Sequence, residues 1–248
     1  MVMKDIKLLI FDMDDTLINH GHATRPAWMK TSEDTVKEFD LECDSTVLGK
    51  EIGDVSEAIF EDENRRPRGN YSPKDLRTKI IKEALDNLGI HRDDIIGYMV
   101  EKYAENKRAA VCPYDDVEET LTELKKRGYT ITLLTNGDSA FQREKINRLS
   151  MTSWFDDIFI SGEMGTDKPH KEAYYMIIDK YHVLPQETCM LGDNYLWEVV
   201  APKEYGLKAI WVNRYDQVRE DNIADYTIKE TKELLDIFKY VSKNSSSF

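Results

Sequence analysis

Four short stretches of the chain carry residues that could act together chemically. In KLLIFDMDDTLINH (7–20), four apolar residues, Leu8 to Phe11, run straight into Asp12, Asp14 and Asp15. In LLTNGD, an apolar run ends on Thr135, Asn136, Gly137 and Asp138. GEMGTDKP brings Lys168 up to a proline, and MLGDNYLWE places Glu198 five residues beyond Asp193. Like charges as close as the first three acids repel, and more so where water is scarce. That stretch is therefore either a solvated turn or the seat of a cation. Taken singly, each group has a plain reading. An Asp after a strand is a turn residue or a helix N-cap. Thr-Asn-Gly is a turn, Lys168 is a solvated lysine, and Glu198 suits the first turn of a helix. Taken together, successive strand ends offer acid, hydroxyl, cation and acid, a selection that chance turns would not make.

These residues meet only if the elements behind them share one sheet. IKLLIF (6–11) reads as a buried strand: short, apolar and stopped by acids. YTITLLT (129–135), DIFIS (157–161), TCMLGD (188–193) and LKAIWVN (207–213) read as further strands. Helical patterns lie between them: 115–127 with Val117, Leu121 and Leu124 on one face, FQREKINRL, Pro169 to Tyr181, and about 196–205. Strands joined by helical crossovers predict a parallel sheet with helices on both faces. In such a sheet, ligands bind beyond the carboxyl ends of the strands, where all four stretches fall. Residues 20–108 show helix signals and no strand signal. SPKDLRTKIIKEALDNLGI is the clearest, with Ser72 as cap, Pro73 at the first position, a helical apolar stripe and Gly89 at the end. The expected fold class is α/β: a doubly wound, Rossmann-like parallel sheet over 1–19 and 109–242. An α-helical insertion over 20–108 interrupts it, and 243–248 form a flexible tail.

The 248 residues suffice for a substantial core. The net charge of −13 argues against nucleic acid, which needs a basic footprint. It leaves room for a small anion, which senses local charge. Three cysteines, Cys43, Cys112 and Cys189, form no ligand or disulfide pattern and are expected to be small buried hydrophobes in a reducing compartment. The apolar run before Asp12 is too short for a signal peptide, and no stretch approaches a membrane span. A cytoplasmic monomer or homodimer without membrane or nucleic-acid partners is expected.

With order and spacing included, the four stretches resemble the haloacid-dehalogenase-like superfamily of aspartate-nucleophile hydrolases. DxDxT stands as Asp12-Met13-Asp14-Asp15-Thr16, the hydroxyl motif as LLTNG with Thr135, and the lysine motif as Lys168-Pro169. The last acidic motif stands as Gly192-Asp193 through Glu198, with Glu where the family usually has Asp. TNGDSAFQREKI and FDDIFISGE are similar to the nucleotidase-like and acylneuraminate-phosphatase-like branch. The resemblance implies Asp12 as nucleophile and Asp14 as general acid, then base. It implies Lys168 with Thr135, Asn136 and Gly137 around the phosphoryl group. It also implies Mg²⁺ held by Asp12, the Asp14 carbonyl, Asp193 and Glu198, directly or through water. Dehalogenases of the superfamily lack an Asp at the Asp14 position, because a halide needs no proton. The resemblance therefore implies a Mg²⁺-dependent phosphatase of a small phosphorylated metabolite, working through an aspartyl phosphate.

The insertion resembles the mobile cap of the subgroup that carries its cap after the first motif. Substrate choice would lie there, and Arg65, Arg66 and Arg68 stand out as a basic run in an acidic protein. Its plain reading is a loop balancing Glu61, Asp62 and Glu63. His20, His22, Arg25 and Trp28 could line the cavity, or could serve as hinge and packing. Two rivals keep most of these features: a phosphoglucomutase-like phosphoryl transferase, and a non-catalytic phosphate-ligand-binding or regulatory protein on the same scaffold.

Overall fold

A computed structural model describes residue 3 and residues 5–62, 64–65 and 72–239. The chain divides into two compact units, Met1–Asn19 with Pro113–Phe248, and His20–Cys112.

The first unit is built on a six-stranded sheet of order β3-β2-β1-β4-β5-β6. The strands are β1 Leu8–Phe11, β2 Thr130–Thr135, β3 Asp157–Ile160, β4 Thr188–Gly192, β5 Lys208–Val212 and β6 Tyr226–Ile228. Every neighbouring pair is parallel. β6 escaped the sequence reading because it has three residues, one of them exposed, and no apolar run. β1 is fully buried and apolar, as a central parallel strand covered on both faces must be. Leu8 and Ile10 share a core with Ala173, Tyr174, Ile177 and Ile178. Leu9 and Phe11, which alternate with them, point to the other face. Chain order reverses between β1 and β4, so the crevice at this switch point opens beyond Phe11 and Gly192.

Among the described residues, the second unit holds four α-helices: α1 Thr24–Phe39, α2 Ser45–Glu61, α3 Pro73–Asn87 and α4 Ile96–Ala110. Asp44 caps α2 by accepting from Thr46 N at 2.7 Å, and Ser72 caps α3 by accepting from Asp75 N at 3.2 Å. Their apolar stripes meet in one core, where Trp28 stacks on Tyr103 with ring centroids 3.6 Å apart. Trp28 is thus a packing residue.

The helices of the first unit are α5 Val117–Lys126, α6 Ser139–Arg148, α7 Ser161–Met164, α8 Lys171–Tyr181, α9 Ala201–Glu204 and α10 Leu234–Ile237. The chain after β4 does not form the continuous helix expected over about 196–205. Residues Tyr195–Val200 form a π-helix, with Ala201 N–H donating to Leu196 O five residues back. Pro202 lacks the N–H that an α-helix would return to the Glu198 carbonyl, which accounts for the change of winding there. Ile18 bridges Asp14 on one side and, antiparallel, Pro113 on the other.

Of the cysteines expected to be buried, only Cys189 is; Cys43 is partly exposed and Cys112 exposed, all three free. Cys112 falls at a unit boundary rather than inside either core. No helix of the described residues is long and apolar enough to cross a membrane. Arg66, Arg68 and the tail 243–248 lie outside the described residues.

Candidate active site

β1 delivers Asp12 to the switch point, where its N–H donates to Leu191 O at 2.9 Å and so docks the loop onto β4. The chain then turns sharply: Asp15 has φ 62°, and its N–H returns to Ile18 O at 2.7 Å. This turn buries Thr16, whose hydroxyl donates to Asp193 Oδ1 at 3.1 Å and accepts from Asp193 N at 3.0 Å. The reciprocal pair fixes the two acidic loops to each other. Asp15 serves the turn.

A cavity of about 160 Å³ lies beyond these strand ends, lined by Asp12, Asp14, Thr135, Asn136, Lys168, Asp193, Asn194, Trp197 and Glu198. The lysine is 1% exposed. Its Nζ donates to Asp12 Oδ1 at 2.6 Å and to Glu198 Oε1 at 2.8 Å. Burial alone would push this ammonium's pKa down, but the charges of Asp12 and Glu198 outweigh burial and hold it above the ordinary lysine value. The Asn136 side chain clasps the Lys168 backbone from both sides. Its Oδ1 accepts from Lys168 N at 2.9 Å, and its Nδ2 donates to Lys168 O at 2.8 Å. The Lys168–Pro169 peptide is cis.

The acids outnumber the cations. Burial, and then the charges of Asp12 and Asp15, push Asp193 up to about 7. Burial likewise raises Glu198 well above the usual carboxylate range in spite of Lys168. One lysine cannot neutralise three carboxylates, so with all three ionised the site would hold surplus negative charge. Glu198 Oε2 is buried and accepts no hydrogen bond from the described residues. Oxygen-only donors, a charge surplus and an orphaned oxygen together fit a hard divalent cation.

Several of the expected groups are engaged within the protein. Glu198 is turned to Lys168, and among the described residues no three acidic, His or Cys side chains converge as a ligand set. The π-winding and Gly192 produce this placement: a Cβ on Gly192 would lie 2.2 Å from Glu198 Cγ, so only glycine leaves room. The Gly137 N–H, expected on the phosphoryl group, donates instead to Ser161 Oγ at 2.9 Å. Ser161 reaches it because β3 pairs with β2 and ends beside it. Asp14 accepts from Lys145 Nζ at 2.6 and 2.7 Å and from Gln142 Nε2 at 3.2 Å. Gln142 Nε2 also donates to Thr135 Oγ1 at 2.6 Å.

In the second unit, Arg25 and Arg65 are engaged by acids of their own unit. Arg25 donates to Asp54 at 2.8 Å and to Glu57 at 2.9 Å, and Arg65 grips both oxygens of Glu83 at 2.6 and 2.7 Å. The Arg65 partner is on α3, not among the neighbouring acids Glu61 and Asp62. The carbonyl of His20 accepts from Lys107 Nζ at 2.5 Å. Sequence reasoning gave no role to Asn194 and Trp197, which lie inside the last motif, or to Gln142 and Lys145, whose only signal is their place on the helix after the hydroxyl motif.

A family model for the haloacid dehalogenase-like hydrolases matches residues 9–212. The chain is 31% identical to a glyceraldehyde 3-phosphate phosphatase of Methanocaldococcus jannaschii, over 96% of this chain and 100% of that protein. It is 28% identical to the N-acylneuraminate-9-phosphatase of Mus musculus, over 88% of this chain and 87% of the relative. The fold matches the magnesium-bound HAD-hydrolase YfnB of Bacillus subtilis, with a TM-score of 0.70 at 19% identity, over 94% of this chain and 99% of the other. Sequence and fold thus agree with the four strand-end motifs, and the chain belongs to the haloacid dehalogenase-like hydrolases.

Proposed function

We propose that this enzyme, a phosphoric monoester hydrolase, removes phosphate from a primary carbon of a small polar metabolite, carrying the phosphoryl group on Asp12. The observation that carries this reading is the buried Lys168 ammonium on Asp12 Oδ1 in a cavity that Asp14 and Thr135 also line. Relatives named for glyceraldehyde 3-phosphate, N-acylneuraminate 9-phosphate and phosphoserine all take primary phosphate esters of small polar molecules.

In the first step, an Asp12 oxygen bonds to phosphorus as the ester P–O bond breaks, and the leaving oxygen takes the Asp14 proton. In the second, water gives a proton to Asp14, its oxygen bonds to phosphorus, and the Asp12–phosphorus bond breaks. Inorganic phosphate leaves with both acids restored. Lys168 stabilises the charge on Asp12 and the phosphoryl oxygens. The Thr135 hydroxyl accepts from Gln142, so its own hydrogen is directed elsewhere, and a phosphoryl oxygen in the cavity is its fitting acceptor. Asp12, Asp193 and the Asp14 carbonyl would hold Mg²⁺, with Glu198 Oε2 through water; the cation supplies the charge that lets a carboxylate meet a phosphate dianion. The Asp14 side chain favours phosphate esters over carbon–halogen bonds, since an alkoxide needs a proton and a halide does not.

Two measurements test this reading. Across a panel of phosphate esters, kcat/KM should be highest for primary phosphates of small polar compounds; a uniformly flat panel would count against it. The second is thermal. A carboxylate raised to about 7 in the fold contributes most stability at pH values below its unfolded pKa of roughly 4. That contribution is lost as pH rises through 7. A cation removes the penalty, so the Tm gain from millimolar Mg²⁺ should be larger at pH 8 than at pH 5.5. An absent gain at both pH values would remove the metal from the proposal.

A further inference from the structure

The Asp14 carboxylate is gripped by two side chains that belong to none of the four motifs. Lys145 Nζ contacts both of its oxygens, at 2.6 and 2.7 Å, and Gln142 Nε2 contacts Oδ2 at 3.2 Å. The two are three residues apart on α6 and so share a helix face. The Lys145 side chain is only 13% exposed, whereas a surface lysine keeps its head in water. The arginines of the same helix are engaged elsewhere, Arg143 with Glu163 and Arg148 with Glu144. Gln142 is buried, and the two hydrogens of its amide nitrogen are shared among Asp14, Thr135 Oγ1 and, at 2.8 Å, Asn136 O.

The terminal torsion of an aspartate is soft, so one contact does not fix the plane of its carboxyl group. Proton transfer requires that group within about 2.6–3.2 Å of the reacting oxygen. A cation touching both oxygens fixes the plane. When Asp14 carries the proton on Oδ1, Oδ2 still accepts from both Lys145 and Gln142, so two contacts hold the plane through the cycle.

We propose that Lys145 is a positioning residue for Asp14, fixing its carboxyl plane through both oxygens while Gln142 ties that carboxyl to Thr135. The proposal rests on the reading of Asp14 as proton donor to the leaving oxygen. One face of α6 thereby sets both the proton-transfer group and the phosphate-binding hydroxyl.

The consequence depends on the leaving group. An alkoxide departs only with a proton, whereas 4-nitrophenolate departs without one. The test measures kcat/KM, which reports the departure step, for a primary alkyl phosphate and for 4-nitrophenyl phosphate. The variants are Lys145→Met, Lys145→Arg and Asp14→Asn in the full chain, with circular dichroism and Tm as fold controls. Lys145→Met should lose roughly 10²-fold on the alkyl ester and little on the nitrophenyl ester, and Lys145→Arg should recover part of the loss. Equal losses on both esters would overturn the proposal, because a merely structural lysine gives no selectivity. If Asp14→Asn itself shows equal losses, the reading of Asp14 fails. If Asp14→Asn is selective and Lys145→Met is not, only the role of Lys145 falls. Should Lys145→Met unfold at assay temperature, Lys145→Gln reads the same ratio, and an unselective loss there counts equally against the proposal.

Discussion

Asp12→Asn should lower kcat by on the order of 10⁴-fold or more while the protein keeps its fold and its melting temperature. The loss in rate follows from removing the attacking oxygen. The stability is less obvious, because the exchange takes a carboxylate away from a buried lysine. Lys168 keeps Glu198 at 2.8 Å, so it is not left unpaired. The charge of Asp12 is also one of the causes, after burial, that push Asp193 and Glu198 up. Removing it converts a crowded trio around one lysine into a pair. The metal-free variant should therefore melt no lower than the parent and gain less from Mg²⁺, having lost a ligand. A variant that turns over at more than a few per cent of the parental rate would dismiss Asp12 as nucleophile. One that fails to fold would show that the Lys168–Glu198 pair cannot stand alone.

Gly192→Ala should be almost as damaging to turnover, although the residue carries no functional group. The added methyl would lie 2.2 Å from Glu198 Cγ and 2.9 Å from both Cβ and Cδ. Glu198 is 1% exposed, so it has no open side to move to. Overpacking of this kind costs about 1–3 kcal/mol. Separating one partner from a buried ion pair costs about 3–5 kcal/mol. Even at the lower end, at roughly 2–4 °C per kcal/mol, Tm should fall by several degrees. Turnover should fall as well, since Lys168 loses one of the two acids that hold it. Comparison with Glu198→Ala isolates the cause. In that background the 2.2 Å neighbour is gone and only the 2.9 Å contact with Cβ remains, so Gly192→Ala should add a smaller loss than in the parent. Fully additive losses would place the clash elsewhere.

The strand ends were legible in the sequence because each buried parallel strand is a short apolar run closed by a polar residue. Asp12, Thr135 and Asp193 sit at or just after such closures, Lys168 follows β3 by the short α7 and a loop, and all four line one cavity. Groups whose placement depends on a neighbouring element were not legible. The Gly137 N–H turns to Ser161, a residue at the end of another strand. Glu198 owes its position to a π-helix, and an extra residue per turn rotates a side chain away from where α-periodicity would put it. Gln142 and Lys145 read as ordinary polar residues of an exposed helix until α6 is laid against the first loop. The partners of Arg25 and Arg65 could not be read from neighbouring sequence, because their acids lie on α2 and α3, 29 and 18 residues away.

Ile18 and Pro113 are bridged antiparallel, and Tyr114 N–H donates to Leu17 O at 3.1 Å, although some 95 residues separate the two segments. The first unit thus releases and recovers the chain at one point, through two backbones about 5 Å apart. Such a doorway asks of the intervening segment only that its two ends meet. Sequence between these positions can lengthen, shorten or be exchanged for another self-contained module while the β1–β2 pairing and the cavity beyond it persist. The catalytic half of the chain is in this sense a socket, and the helical half a cassette.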